Sequence, residues 1–277
     1  MAMTDRVQDY ARQWNVSVEQ RIETTTSFLA FGTRDGLPVV LKVSRTAGEE
    51  WKSGEVLAAF GGRGAVRVYE YAGGAALLER LDPATPLAEV VRSGRDSEAV
   101  DLLAGVIREM TGAPAGEPHA PSVEDLAVSF PRYLENKDRQ VPRDLVVQAH
   151  HVYTALCSSQ TQRRLLHGDL HHHNVLFDAR RGWLAIDPKG VVGELEYEIG
   201  AALRNPCECT HLVASSEVAK QRIARFAGAL QLNAERVLAW AFSQAVLSAL
   251  WSIEDGERLS DDHPGLALAA ALRPLLP

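Results

Sequence analysis

One stretch constrains this chain more than any other. His167-Gly168-Asp169-Leu170-His171-His172-His173-Asn174 is followed by Val175-Leu176-Phe177 and then by Ile186-Asp187-Pro188. Asp169 precedes Asn174 by five positions. Val175-Leu176-Phe177 and Trp183-Leu184-Ala185-Ile186 read as two short strands, with Asp178 to Gly182 turning between them, so Asp187 sits where the second strand ends. Moving a phosphoryl group to a hydroxyl asks for this set. One carboxylate meets the hydroxyl, an amide one short loop away holds a metal on the phosphates, and a second metal-binding carboxylate arrives from a nearby turn. A lone Asp in a polar loop is usually only solvated, so the ordered set carries the reading and no single member does. Three consecutive histidines suggest metal binding by composition. Neighbours in sequence cannot easily all face one ion, however, and no Cys or His partner stands at zinc-finger spacing.

The segment His167-Gly168-Asp169-Leu170-His171-His172-x-Asn174 followed by Ile186-Asp187-Pro188 resembles the aminoglycoside phosphotransferase family, a small-molecule branch of the protein-kinase-like fold. The longer run Ile186 to Glu194, and Gly62-Arg63-Gly64-Ala65-Val66-Arg67 upstream, resemble the streptomycin 6-phosphotransferase group within it, the aminoglycoside/hydroxyurea resistance kinases. The likeness runs from about Thr25 to Glu254. It implies an α+β, bilobal fold with a small, mainly β lobe over residues 1–81 and a larger, mainly helical lobe over residues 82–277. It implies ATP (GTP is possible) and Mg²⁺, and an acceptor such as streptomycin, phosphorylated at the 6-hydroxyl, or hydroxyurea. A metabolic kinase of the same fold acting on a sugar, choline or amino-acid alcohol is the alternative within the enzyme class. A catalytically silent nucleotide-binding module is the alternative outside it.

Composition narrows the partners. A net charge of −7 argues against nucleic acid, whose phosphates want a basic face, and suits a small cationic substrate. No apolar run approaches a membrane span, and residues 1–13 carry charges without an apolar core, so a membrane is not expected as a partner and cytoplasm is the expected location. We expect a monomer. Three cysteines give no disulfide framework; Cys207 and Cys209, with His211 nearby, read as apolar thiols sooner than as metal ligands.

In chain order, residues 1 to about 18 read as a helix or arm, with Tyr10 and Trp14 one helical step apart. Ile22 to Val43 reads as strand, turn, strand, with Asp35-Gly36 in the turn. Lys42 lies in the β-branched strand Pro38 to Val43. An exposed lysine on an edge strand is the plain alternative, but a lysine after a hairpin and before a helix is placed to hold nucleotide phosphates. No G-x-G-x-x-G precedes it; Thr24-Thr25-Thr26-Ser27-Phe28 takes that place, with Ser27 as a phosphate contact. Glu49 to Phe60 reads as a helix, and Glu50 (or Glu55) is the carboxylate to orient Lys42. Val66 to Tyr71 and Ala75 to Leu81 form a hairpin about Gly73-Gly74. Glu79 and Leu81 would then offer backbone groups to the adenine ring, before Asp82-Pro83 breaks the pattern.

Helices follow over Ser97 to Thr111, around Leu145 to Leu156, around Ala219 to Leu230, and over Arg236 to Trp251, the last apolar almost all round. Gly112 to Pro121 reads as a loop. Glu194, Glu196 and Glu198 alternate, so an extended chain would put them on one face to meet a cationic substrate. Trp251, Glu254 and Asp255 are further candidates for the substrate pocket, against the plainer reading of a core Trp beside solvated carboxylates. The roles expected are Asp169 as the base, Asn174 and Asp187 as Mg²⁺ ligands, and Lys42, held by Glu50, on the remaining phosphates. His167 orients the loop.

Overall fold

The computed structural model describes residues 3–111, 120–136, 138–260 and 262–277, the side chains of 3–5 and 49–50 excepted. The strands, in chain order, are β1 (Ser17–Glu23), β2 (Ser27–Arg34), β3 (Leu37–Ser44), β4 (Val68–Ala72), β5 (Ala75–Glu79), β6 (Pro83–Pro86), β7 (Arg164–Leu166), β8 (Val175–Asp178), β9 (Gly182–Ala185) and β10 (Val191–Gly193). The helices are α1 (Met3–Gln13), α2 (Ser53–Ala59), α3 (Ala88–Arg92), α4 (Asp96–Thr111), α5 (Val123–Leu126), α6 (Ser129–Glu135), α7 (Arg143–Ser158), α8 (Leu195–Leu203), α9 (Thr210–Val213), α10 (Ser216–Leu230), α11 (Ala234–Glu254) and α12 (Pro264–Leu272). Two compact units divide the chain. One holds Met1–Pro86, Gly105–His119 and Asn174–Gly190; the other holds Leu87–Ala104, Ala120–His173 and Val191–Pro277. Both are discontinuous in sequence, whereas the sequence reading makes a single cut after residue 81.

The first unit is built on a five-stranded antiparallel sheet, ordered β1-β2-β3-β5-β4. Turn chemistry sets its register. Asp35 (φ +51°) with Gly36 (φ +78°), and Gly73 (φ +52°) with Gly74 (φ +78°), are two-residue loops with both central residues at positive φ. That geometry matches the twist of the strands it joins. In β3 the side chains alternate. Val39, Leu41 and Val43, at most 1% exposed, pack with Val7, Ala11 and Trp14 from the α1 region, together with Ala30 and Leu77. Val40, Lys42 and Ser44 take the other face. A second sheet, β6-β8-β9, contains the expected hairpin, with Val175 opposite Ala185 and Asp178 opposite Gly182. The Asp178 carboxylate accepts the N–H groups of Arg180 and Arg181 and so closes that turn.

Two expectations for this unit need correction. β1 pairs with β2 although six of its seven residues are exposed; an edge strand buried on neither face leaves no hydrophobic alternation to read. The helix expected over residues 49–60 begins as a 3-10 turn (Glu49–Lys52) and is α-helical only from Ser53 to Ala59. Glu50 therefore lies in the 3-10 turn and outside the α-helical segment, whereas Glu55 lies within it. Most of the loop expected over 112–121 lies outside the described residues.

The second unit centres on α11, which packs against α7, α8 and α12. Val237, Trp240, Ala241, Phe242, Ala245, Val246 and Leu247 are fully buried in it. Trp240 takes Tyr153 and Tyr197 edge-on at 5.0 and 5.2 Å between ring centroids. Burying a large apolar side chain of this kind stabilises by ~1.5–3 kcal/mol, so this one helix gathers much of the unit's hydrophobic stabilisation. Among the described helices, α11 is long and apolar enough to cross a bilayer, yet most of that stretch is buried inside the protein.

Candidate active site

The β3 alternation that buries Val39, Leu41 and Val43 points Val40, Lys42 and Ser44 into a cavity of the first unit. Leu29, Ala76 and Leu78 line it from neighbouring strands, Leu57 from α2, and Leu176, Ile186 and Asp187 from the β8–β9 region. An apolar slot with a few polar groups is what a flat, charged ligand needs. Ser27, Glu79 and Leu81 line it too. The Glu79 carboxylate is already engaged, accepting the Arg67 N–H at 2.7 Å and pairing with Arg181. Thr24 and Ser27 close a turn on each other: the Ser27 N–H donates to Thr24 Oγ1 and the Thr24 N–H to the Ser27 carbonyl, both at 2.9 Å.

The hairpin sets where Asn174 and Asp187 lie in the chain's ladder. Asn174 immediately precedes β8, Asp187 lies just beyond β9, and the first residue of β8 is opposite the last of β9. Both residues therefore flank the same end of one ladder. The Ile186 N–H donates to the Asn174 carbonyl at 2.9 Å and extends the pairing toward them. Asp187 has φ +62°, a left-handed conformation that costs a non-glycine residue on the order of 1–3 kcal/mol and is concentrated at functional sites. The Lys42 ammonium, 8% exposed, pairs with the Asp187 carboxylate. The donors here are a carboxylate and a side-chain amide, which fit Mg²⁺: it takes oxygen ligands and commonly one or two from protein, the rest from phosphates and water. The Glu50 side chain lies outside the described residues.

The first part of the loop belongs to the second unit. His167 is fully buried, and the Asp169 N–H donates to its Nδ1 at 3.3 Å. Arg204 Nη2 stands 3.3 Å from Asp169 Oδ1 and His171 Nε2 stands 3.9 Å from Oδ2. Burial pushes the His171 imidazole down to about 4, so its ring is neutral near pH 7. Burial holds His172 well below the ordinary range as well, and neither of its ring nitrogens has a hydrogen-bond partner. His173 Nε2 turns instead to Glu208, at 3.1 Å. Among the described residues, no three His, Cys, Asp or Glu side chains gather as a metal site, and Cys207, Cys209 and His211 form none.

The acidic segment is not extended. Leu195–Leu203 is helix α8, with Glu194 as its N-cap residue. A helix rotates successive residues by about 100°, so Glu194, Glu196 and Glu198 do not share one face. Glu194 is 4% exposed, pairs with Arg236 at 2.6 Å and accepts the Trp240 indole N–H. Glu198, also 4% exposed, accepts the His167 N–H at 2.7 Å and the Gly168 N–H at 3.1 Å. Burial raises its carboxyl to about 7, against the pull of those N–H groups. These two carboxylates are committed to protein partners, and neither offers a face to a substrate. Glu196 remains half-buried on α8.

At the end of α11, Glu254 pairs with Arg132 at 3.1 Å and accepts the Ser129 hydroxyl at 3.0 Å, Trp251 is half-buried and Asp255 is exposed. The sequence reading passed over Arg204, which no local pattern marks. It also passed over Glu257, Asp262 and His263: the charges of Glu257, Arg204 and Asp262 all act on the His263 ring, whose Nε2 lies 3.4 Å from Ser252 Oγ on α11.

Comparison with known proteins gives this site its class. The family model for aminoglycoside/hydroxyurea antibiotic resistance kinases matches residues 13–256. The chain is 31% identical over 256 residues to the streptomycin 3''-kinase of Klebsiella pneumoniae, covering 88% of this chain and 91% of that one. It is 32% identical over 268 residues to the hydroxyurea phosphotransferase of Kitasatospora aureofaciens, covering 91% and 74%. It is 30% identical over 232 residues to the streptomycin 6-kinase of Streptomyces griseus, covering 80% and 73%. Among solved structures, aminoglycoside phosphotransferase APH(4)-Ia with ADP and hygromycin B superposes with a TM-score of 0.68 at 17% identity, over 96% of this chain and 97% of that one. Choline kinase LicA from Streptococcus pneumoniae does so at 0.65 and 15%, over 99% and 100%. These two likenesses establish the protein-kinase-like α+β fold. By its family match and its relatives, the chain belongs to the aminoglycoside/hydroxyurea antibiotic resistance kinases, which use ATP to phosphorylate hydroxyl groups of small molecules.

Proposed function

We propose that this kinase transfers the γ-phosphoryl group of ATP to a hydroxyl of a cationic, streptomycin-like aminocyclitol. The observation that carries the reading is the Asp169 carboxylate on a loop whose backbone is held from α8 and whose side chain is paired with Arg204. Asp169 orients the acceptor hydroxyl and takes its proton late, since the transition state of phosphoryl transfer is loose. Lys42 holds nucleotide phosphates, and on their arrival its ammonium exchanges Asp187 for phosphate oxygens. Asn174 and Asp187 are the residues that would hold Mg²⁺, which when bound neutralises charge on the phosphates. The aliphatic walls Leu29, Val40, Leu78, Leu176 and Ile186 take the adenine ring, with backbone groups of Glu79 and Leu81 at its edge, and Ser27 lies on the phosphate side. Catalysis is then mainly positioning and charge neutralisation.

A cationic acceptor is supported by the relatives named for streptomycin and by carboxylates of the second unit beyond α11: Asp255 is exposed, and the charges of Glu257 and Asp262 reach His263. Glu196, Trp251 and Asp255 are assigned to the acceptor side, whereas both oxygens of Glu254 already face Arg132 and Ser129. The test is phosphate transfer from labelled ATP with Mg²⁺ to streptomycin, hydroxyurea and choline in parallel, with Asp169→Asn as control. Transfer to streptomycin that is lost in Asp169→Asn is the expected result. Transfer to choline alone would replace the acceptor, and near-normal turnover in Asp169→Asn would remove Asp169 from its role.

A further inference from the structure

Helix α8 holds the Asp169 loop at both of its ends. Near its start, Glu198 takes two backbone N–H groups of the loop. At its C-cap, Arg204 reaches the reacting carboxylate itself, with Nη2 at 3.3 Å from Asp169 Oδ1. The guanidinium is no surface group, since its side chain is 11% exposed. Its other terminal nitrogen, Nη1, lies 3.5 Å from Oε1 of Gln244 on α11. Gln244 is 4% exposed and fixed in turn by donating Nε2 to the Tyr197 carbonyl. Arg204 is thus seated by a buried amide through Nη1 and meets Asp169 through Nη2. A permanently charged guanidinium held from behind gives the carboxylate oxygen it meets a fixed point of attachment.

Four other neighbours of Asp169 within the second unit differ from Arg204 in character. His171 is held neutral by burial, His167 accepts the Asp169 N–H on Nδ1, Glu198 is a carboxyl, and Tyr197 is a buried phenol. A base must meet its hydroxyl within a narrow range of angle and distance, and a misplacement of 1 Å can cost ~100-fold in rate. We propose that Arg204 is a positioning residue for phosphoryl transfer: it fixes the orientation of the Asp169 carboxylate, with Gln244 seating it. The inference rests on the reading of Asp169 as the group that receives the acceptor hydroxyl.

Arg204→Met, Arg204→Lys, Gln244→Leu and Asp169→Asn test it in the full-length protein, with streptomycin as the acceptor probe. In Arg204→Met, kcat is expected to fall ~100-fold, with ATP affinity and the folded far-UV spectrum close to wild type. Arg204→Lys should recover part of kcat, and millimolar guanidinium should recover part of it in Arg204→Met. Gln244→Leu should give a smaller loss of the same kind. For a readout free of any acceptor, the ¹³Cγ signal of Asp169, identified by its absence in Asp169→Asn, should titrate at higher pH in Arg204→Met than in wild type. An unchanged kcat and an unchanged Asp169 signal in Arg204→Met would overturn the inference while Asp169→Asn is still dead. Loss of kcat in Arg204→Met and Arg204→Lys alike, with lost ATP binding and no guanidinium rescue, would overturn it in favour of a purely structural role. Turnover surviving in Asp169→Asn would strike down the reading of Asp169 itself.

Discussion

Replacing Glu198 by alanine removes the acceptor for the His167 and Gly168 N–H groups, held at 2.7 and 3.1 Å inside the second unit. A buried donor left without a partner costs ~1–3 kcal/mol, so two of them cost ~2–6 kcal/mol. A second effect opposes this one. Burial raises the Glu198 carboxyl from the ordinary 4.5 to about 7. At 1.36 kcal/mol per pH unit, its ionised form above pH 7 costs the folded state ~3 kcal/mol, and alanine removes that cost. The sign follows from proton counting. Between pH 4.5 and 7 the folded protein binds more protons at this site than the unfolded chain, so the stability it contributes is full at low pH and is lost as pH rises through 7. The substitution should therefore destabilise more at pH 5 than at pH 8, by ~3 kcal/mol across that window. Urea unfolding of both proteins at the two pH values, with kcat measured alongside, reads this directly. A penalty that grows with pH would refute the argument, as would wild-type stability and turnover at both.

Lys42→Met should raise the KM for ATP at least ~10-fold and lower kcat, because an ammonium on the phosphates is worth at least ~1.4 kcal/mol; a steady-state ATP titration decides, and an unchanged KM would detach Lys42 from the nucleotide. His171 and His172 both have folded-state pKa values below the unfolded 6.5, so the unfolded chain takes up protons first and stability falls as pH drops from 6.5 toward 4. His172→Leu removes two buried nitrogens that lack partners and should stabilise the protein at pH 7 by ~1–3 kcal/mol while flattening this acid limb. Thermal melts at pH 7 and 5 check it, and a lower Tm at pH 7 with an unchanged acid limb would contradict it.

What could be read from the residues in line was the chemistry carried by contiguous positions. Two-residue loops at Asp35-Gly36 and Gly73-Gly74 announce their hairpins because only certain residues tolerate positive φ at both centres. The apolar periodicity of α4, α7, α10 and α11 announces helices because one face of each must be buried. The loop from His167 to Asn174 and the hairpin that delivers Asp187 announce phosphoryl transfer, since residue types and spacing there are dictated by the reaction. β1 escaped notice because a strand exposed on both faces has no pattern to show. The carboxylates at 194 and 198 were legible as charges and illegible as partners. Alternation suggests a strand, but burial of Tyr197, Ile199, Ala201 and Ala202 makes a helix there, and the charges turn inward to Arg236, Trp240 and the loop N–H groups. The partners that seat the loop come from far along the chain, 31 positions away for His167 and Glu198 and 35 for Asp169 and Arg204. No local propensity encodes a meeting of that kind; it exists only once the α8–α11 packing has brought a carboxyl and a guanidinium to the loop, in surroundings dry enough for each to hold its partner.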